Sequence, residues 1–527
     1  MDLAIKLIML IVFFGVMIAV GVYCRRHSTD VNGFVLGGRA VGPWLTAFAF
    51  GTSYFSAVVF VGYAGQFGWK YGIATTWAGL MNAFLGSLLA WAVLGRRTRI
   101  MTQHLSSATM PQFFAERFES KTLKLVASVV VFIFLIPYTA SLYNGLSRLF
   151  GMAFDIPYEV CVIAMAILTA VYVIVGGYMA TAMNDFIQGI IMIIGIVAVI
   201  VAVLKSQGGL TEALFKLSLV EGTTAAGKVQ PGVFTSFFGP DIPNLVGVVI
   251  LTSLGTWGLP QMVQKFYAIK SEKAINKGMI ISTVFAVIVA GGCYFLGGFG
   301  RLFANQIEMG EDGVTPASFD AIIPTMLSNL PSILIALVVV LVLSASMSTL
   351  SSLVLTSSST LTLDFIKPNF SKNMSEKKQL ICMRVFIAVF IIISSVIAIY
   401  QYKGGATFIA QMMGVSWGAL AGAFLAPFLY GLYWKRATKA ACMVNFVFST
   451  VVMIANTLIR SSFPAFLRSP INCGAACMIA GLIIVPVISL ITKAPSKEKI
   501  DSIFSCYDKK VMVSVTDSIG DSEEAAE

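Results

Sequence analysis

Charge is what this 527-residue chain has least of: Asp, Glu, Lys and Arg together make up 12% of it, against about a quarter in soluble proteins. A chain so poor in charge cannot clothe a globule in polar surface. With 57% hydrophobic residues it reads as an all-α polytopic membrane protein. Histidine is nearly absent: His27 and His104 are the only two, and both fall outside the apolar runs. No nucleophile with its base and no set of metal-ligating imidazoles can be assembled inside the membrane, so the chain is not read as an enzyme. The eight Cys are scattered, mostly within apolar segments, and form neither a disulfide framework nor a zinc motif. Cys473 and Cys477, on one helix face, read as small packing residues. The net charge of +11 is not read as affinity for nucleic acid, because the cations are distributed as markers of membrane sidedness.

Windows of about 20 residues place apolar spans near 4–23, 43–66, 74–95, 124–149, 157–178, 185–204, 243–264, 279–300, 331–356, 385–401, 406–432, 441–459 and 472–491, thirteen in all. The first lacks a small-residue cleavage site and is expected to remain as a helix. Most Lys and Arg fall on one side: Arg25, Arg26 and Arg39; Arg96, Arg97, Arg99, Arg117, Lys121 and Lys124; Lys265, Lys270, Lys273 and Lys277; then the 367–384 and 435–439 clusters and the C-terminal end. The other side holds the acidic "EMGEDG" and the segment 205–242. Positive-inside bias then sets the N-terminus out and the C-terminus in, which an odd number of spans requires. Residues 1–495 are expected to form one domain in the cell membrane, surrounded by lipid, and 496–527 a cytoplasmic polar tail. The end of that tail, "VTDSIGDSEEAAE", is too polar to bury a core.

Two spans have unusual interiors. In "FAFGTSYFSAVVFVG" Gly51, Thr52, Ser53 and Ser56 sit at mid-span, and "LTSLGTWGLPQ" brings Gly255, Gly258 and Pro260 together. Both patterns predict broken helices, whose freed backbone groups are tolerated only inside protein or along a wet cavity. Matched interruptions in two halves point to a transporter's midplane site. The breaks lie five spans apart, so the second half (about 243–432) is inverted relative to the first (about 43–204). The alternative, small residues permitting close packing or a kink, is weaker for the matched pair. In "SASMSTLSS", Ser344, Ser348, Ser351 and Ser352 fall at i, i+4, i+7 and i+8, one stripe flanked by Ala345 and Thr349. One or two such hydroxyls usually bond back to their own helix. Six Ser or Thr in nine positions exceed that need and offer hard oxygens suited to a hard cation, with carbonyls from the first break completing a cage. Asp185 is an acidic residue inside the spans as drawn; it reads equally as a functional carboxylate and as a cap at a span's edge.

These segments carry a resemblance. "FVLGGRAVGPWLTAFAF", "GGYMATAMNDFIQ", "GLPQMVQKFYAIKSEK", "LSASMSTLSS" and "LYGLYWKRATKAA", in this order, resemble the bacterial sodium/solute symporter family, relatives of sodium/proline, sodium/glucose and sodium/sialic acid carriers, from about residue 5 to 495. Ala440 departs from a Gly usual in that family. The resemblance implies the inverted-repeat core of the leucine-transporter fold over helices 2–11, Na+ as coupling ion, one or two per cycle, and import of a small organic solute by alternating access. It implies a main sodium site at the carbonyls of Thr52, Phe55 and Ala345 and the hydroxyls of Ser348 and Thr349. It implies a second sodium position at Asp185, Ser348, Ser351 and Ser352.

Carriers of proline are matched at Tyr138 and Pro260, but Val58, Thr252 and Thr256 replace residues that they use, and Tyr54 stands at their acidic position. The arginine of sialic acid carriers and the glutamate of sugar carriers have no counterpart. The remaining pocket candidates, Ser53, Tyr54, Ser56, Tyr138, Thr256, Trp257 and Gln411, are polar and uncharged, which suits a neutral or zwitterionic solute. A monocarboxylate or vitamin is the alternative, its carboxylate met by helix N-termini at the breaks. A channel is the alternative of another class, disfavoured because one asymmetric cage is not a filter. Sidedness is testable in whole cells: Lys216→Cys should react with an impermeant thiol reagent from outside and Lys377→Cys only from the cytoplasmic face. Labelling of both from one face would overturn the topology.

Overall fold

The computed structural model describes residues 2–25, 29–154, 157–224, 227–404 and 409–508. The polar stretch beyond Ser514 lies outside these residues, as do positions 406–408 of one expected span. Among the described residues the architecture is helical apart from one hairpin, Glu221–Thr223 paired antiparallel with Val229–Pro231. Among the described residues, ten helices are long and apolar enough to cross a bilayer, or eleven if the bent pair Ile242–Gly258 and Pro260–Ala268 is one span. The shortfall from thirteen arises where spans run together or stay short. Pro43–Tyr54 has only 12 residues, and Val58–His104 reads as a single 47-residue apolar stretch although a tight turn at Gly72–Thr75 interrupts it. Tyr158–Val171 is too short by itself and belongs to the continuous Tyr158–Ser206, which is kinked at Gly177.

Local chemistry sets the helix ends. Thr109, Asp241, Ser271 and Thr438 cap helices with side-chain oxygens that accept from backbone N–H groups three residues on. Pro43 follows the Gly42 cap in the first turn, where its missing N–H costs nothing. The two expected breaks are present and alike. Phe55 (φ −83°, ψ 116°) ends Pro43–Tyr54, and Leu259 (φ −80°, ψ 121°) separates Ile242–Gly258 from Pro260–Ala268 with a 45° bend. Leu259 is extended because the proline ring that follows disfavours the α region. The nearby glycines serve packing as well: a Cβ on Gly258 would stand 2.8 Å from the Ala421 Cα, and one on Gly255 2.6 Å from the Trp417 ring.

Burial separates core helices from lipid-facing ones. In the most apolar window of Ser332–Phe370, 78% of residues are buried, and in that of Ile409–Tyr433 89%, against 22% for Ala4–Cys24. The helix Ser332–Thr360, which carries the hydroxyl stripe, packs against Pro43–Tyr54, Lys121–Phe154 and Tyr158–Ser206. Exposed side chains such as Ile11, Ile167, Ile392 and Ile483 are the face that the bilayer covers.

Several cations expected as markers of the inner loops are structural. Arg39 donates to the carbonyls of Tyr267 (3.0 Å) and Ser107 (2.6 Å), Arg99 to that of Ile269 (2.5 Å), and Arg117 to those of Gly431 (2.7 Å) and Trp434 (3.0 Å). They satisfy carbonyls left over at helix ends. The stretch expected as a polar tail from residue 496 begins with a docked segment. Lys497–Phe504 is a helix whose Ile500 and Phe504 are buried, held by ion pairs Lys435–Asp501 (2.7 Å) and Lys499–Glu119 (2.8 Å) and by Tyr507 donating to the Leu432 carbonyl (3.0 Å).

The kink in Tyr158–Ser206 falls at Gly177 (φ 58°, ψ −150°), a backbone shape open almost only to glycine, where a Cβ would stand 2.8 Å from the Phe34 ring. Gly177→Ala is expected to destabilise the protein by roughly 1–3 kcal/mol, the usual cost of such strain, read as a drop in the unfolding midpoint of purified protein in detergent.

Candidate functional site

The first break faces the hydroxyl stripe. Ser348 Oγ lies 3.2 Å from the Thr52 carbonyl oxygen and 3.1 Å from that of Ala345. Thr349 Oγ1 lies 3.2 Å from the Thr52 oxygen, 3.4 Å from that of Phe55 and 3.1 Å from that of Ala345. All five residues are fully buried. Two hydroxyls own two protons, which cannot serve five close oxygen–oxygen contacts at once. A small cation at the centre can serve all of them. With oxygens at about 2.3 Å and at right angles, neighbouring ligands of such an ion stand about 3.3 Å apart. The arrangement therefore fits a monovalent cation held by neutral oxygens, with one wall from the broken helix and the other from Ser332–Thr360.

The residues expected as a second cation position do not converge in the same way. Ser348 belongs to the cage just described, and Ser351 Oγ donates back to the Ser348 carbonyl at 2.9 Å. Ser352 Oγ instead accepts from Lys265 Nζ at 2.9 Å and stands 3.0 Å from Ser53 Oγ. Lys265, counted with the inner-loop cations from the sequence, is 2% exposed and sits on the half-helix Pro260–Ala268. Its Nζ is 3.8 Å from Asp185 Oδ2 and 5.1 Å from the centre of the Tyr178 ring. Asp185 is fully buried within Tyr158–Ser206, eight residues past the kink, so it caps no helix. Neither of its carboxylate oxygens has a hydrogen-bond donor.

The pocket candidates divide. Tyr54, Ser56 and Tyr138 are buried, and their hydroxyls have no hydrogen-bond partner. The Tyr138 hydroxyl lies beside Ser56 and the Trp417 indole without closing a bond to either, and its ring meets Trp417 edge-on at 5.9 Å. Tyr63 and Tyr294 are likewise buried with unpaired hydroxyls among the described residues, and the Tyr294 phenol is within electrostatic range of those of Tyr54, Tyr63 and Tyr138. Sequence reasoning missed these two because each sits in an unbroken apolar run with no motif to single it out. Ser53 is turned to the lysine network. Thr256 donates to the Gly86 carbonyl (2.8 Å) and Trp257 to that of Leu85 (2.9 Å), so both tie Ile242–Gly258 to its neighbour. Gln411 accepts from the exposed Arg460 at 3.0 Å.

Two further carboxylates, outside the spans drawn from sequence, are buried. Asp364 accepts from Thr109 Oγ1 at 2.6 Å and pairs with Lys124 at 3.4 Å. Asp320 accepts from the Ile409 backbone N–H at 3.4 Å.

Comparison with known proteins gives one consistent picture. A model of the sodium:solute symporter family matches residues 34–448. The osmoregulated proline transporter OpuE of Bacillus subtilis (strain 168) is 27% identical over 497 residues, covering 92% of this chain and 94% of its own. A sodium/proline symporter of Haemophilus influenzae is 29% identical over 454 residues, covering 84% and 86%. Among solved structures, a substrate-bound, outward-open sodium-coupled sialic acid symporter superimposes with a TM-score of 0.74 at 18% identity, over 93% of this chain and 98% of that one, which shows a shared fold.

Removing either hydroxyl of the cage takes one oxygen from a set with few to spare. Ser348→Ala and Thr349→Ala are each expected to raise several-fold the sodium concentration that half-maximally stabilises the purified protein against heat. Unchanged sodium dependence in both would rule out the cage as the ion site.

Proposed function

Because the chain belongs to the sodium:solute symporter family, whose members couple solute movement to sodium across the membrane, we propose that its own cargo is a small zwitterionic or neutral organic solute and that its main sodium site is the Thr52–Phe55–Ala345–Ser348–Thr349 cage. The chain is a multi-pass cell-membrane protein and a sodium-coupled symporter, not an enzyme. The observation that carries the solute class is the set of buried, uncharged, unpaired hydroxyls of Tyr54, Ser56 and Tyr138, with those of Tyr63 and Tyr294 equally buried and unpaired. Buried polar atoms without partners cost stability unless something pairs with them, and a solute bearing donors and acceptors does so. A fully charged solute would need a counter-charge that these residues do not supply.

Coupling follows from adjacency. The ion's ligands Thr52 and Phe55 and the hydroxyls of Tyr54 and Ser56 belong to one five-residue stretch of backbone around the break. An ion that bridges this stretch to Ser348 and Thr349 fixes the extended residue Phe55, and so sets the direction of the side chains on either side of it. Sodium binding thereby prepares the solute site, and the solute in turn holds the ion's ligands in place, the reciprocity that linkage requires.

The relatives named as proline carriers make proline the first zwitterion to test. Tyr54, Val58, Thr252 and Thr256, where proline carriers use other residues, favour a different solute of the same class. The test is uptake into proteoliposomes under an imposed inward sodium gradient, with panels of amino acids, sugars, monocarboxylates and vitamins. Accumulation of a zwitterionic or neutral solute, lost on collapse of the gradient and weakened about tenfold or more in Tyr138→Phe with sodium affinity retained, is the expected result. Accumulation of a monocarboxylate alone would replace this reading with the carboxylate one.

A further inference from the structure

The ammonium of Lys265 lies in the seam that the serine pattern and Asp185 mark out for a second ion. It faces the carboxylate of that seam and one of its serines. It donates to Ser352 Oγ at 2.9 Å, stands 3.8 Å from Asp185 Oδ2, and lies over the Tyr178 ring at 5.1 Å, while Ser352 is linked to Ser53 at 3.0 Å. These partners come from three separate segments: Ser332–Thr360, the part of Tyr158–Ser206 that follows the kink at Gly177, and the broken helix Pro43–Tyr54. Lys265 itself comes from the half-helix that follows the second break. Its side chain is 3% exposed and that of Asp185 0%, so neither charge is relieved by water.

The charge balance is the deciding point. A carboxylate alone in such a seam would attract a metal cation strongly, since nothing else neutralises it. Here one negative group already faces one positive group, and Ser53, Ser351, Ser352 and Tyr178 are neutral. A sodium ion added beside Asp185 would leave a net positive charge in a low-dielectric interior. It would lie about one helical turn, roughly 5.4 Å, from the cage that Ser348 shares, and so beside the first sodium. The ammonium is fixed to the backbone and cannot leave as a free ion does.

We propose that Lys265 is a tethered cation that permanently fills the second ion position, so that this symporter binds one sodium, at the Thr52–Thr349 cage, and not two. Lys265 is thus a stoichiometry-determining residue. It gives the seam the charge neutralisation that a second sodium would bring, and that charge does not cross the membrane. The inference rests on the reading of the cage as the main sodium site.

The experiment counts saturable sites for radioactive sodium on purified full-length protein, with sodium-dependent thermal stabilisation as a second readout. The wild type is expected to bind one sodium per chain with a Hill coefficient near one. Lys265→Met keeps the length of the side chain, deletes its charge and leaves Asp185 unpaired; it should bind two, with a Hill coefficient rising towards two. Adding Asp185→Asn to Lys265→Met should return the count to one, and Lys265→Arg should keep it at one. Two sites in the wild type would overturn the proposal, and so would a folded Lys265→Met that binds only one. Should Lys265→Met fail to fold, the wild-type count and its response to Thr349→Ala decide: one site, weakened several-fold in that variant, supports the proposal, and a site whose affinity that variant leaves unchanged overturns it. No saturable sodium in the wild type would instead defeat the cage itself, an outcome distinct from all of these.

Discussion

A carbonyl released from its helix inside a bilayer has no water to turn to, and the rest of this structure is arranged around that constraint. The break at Phe55 frees the oxygens of Thr52 and Phe55, and the hydroxyls of Ser348 and Thr349 are placed to meet them. The helix that supplies those hydroxyls must be central and well shielded, which is why its apolar window is among the most buried. The second break, at Leu259, has a different outcome: the half-helix after it turns a lysine inward. One discontinuity thus exposes oxygen and the other delivers positive charge, and both meet the same serine-rich helix.

Much of this was legible in the sequence because the signals are local. Apolar runs located nearly every membrane helix, Pro260 dictated an extended residue before it, and the spacing of Ser344, Ser348, Ser351 and Ser352 described a stripe before any coordinates did. The hydroxyl excess was a surplus that back-bonding could not absorb, and the cage uses part of it. Ser351 and Ser359 do bond back to their own helix, as isolated hydroxyls commonly do.

The parts that were not legible depend on distance across the fold. Lys265 belongs to a run of Lys residues that continues through Lys270, Lys273 and Lys277, and a count of loop charges cannot separate it from them. Only the bend after Leu259 sends it to Asp185. Asp185 looked like a span edge because a hydropathy window ends where polarity rises, whereas the helix runs on through it from Gly177. Thr256, Trp257 and Gln411 had the right chemistry for a pocket but spend it on Gly86, Leu85 and Arg460, partners far away in sequence. Tyr63 and Tyr294 are the converse: unremarked in sequence, yet buried with hydroxyls left unpaired among the described residues, as those of Tyr54 and Tyr138 are.

The docked helix Lys497–Phe504 bears on how the chain can be shortened or extended. Phe504 lies under the Arg117 guanidinium at 5.0 Å, Asp501 neutralises Lys435, and Tyr507 closes on Leu432. A fusion joined at residue 496 would therefore replace a wedge that seals one end of the helix bundle and would strip a buried arginine of its aromatic cover. A tag attached downstream of Tyr507 keeps all three of these contacts.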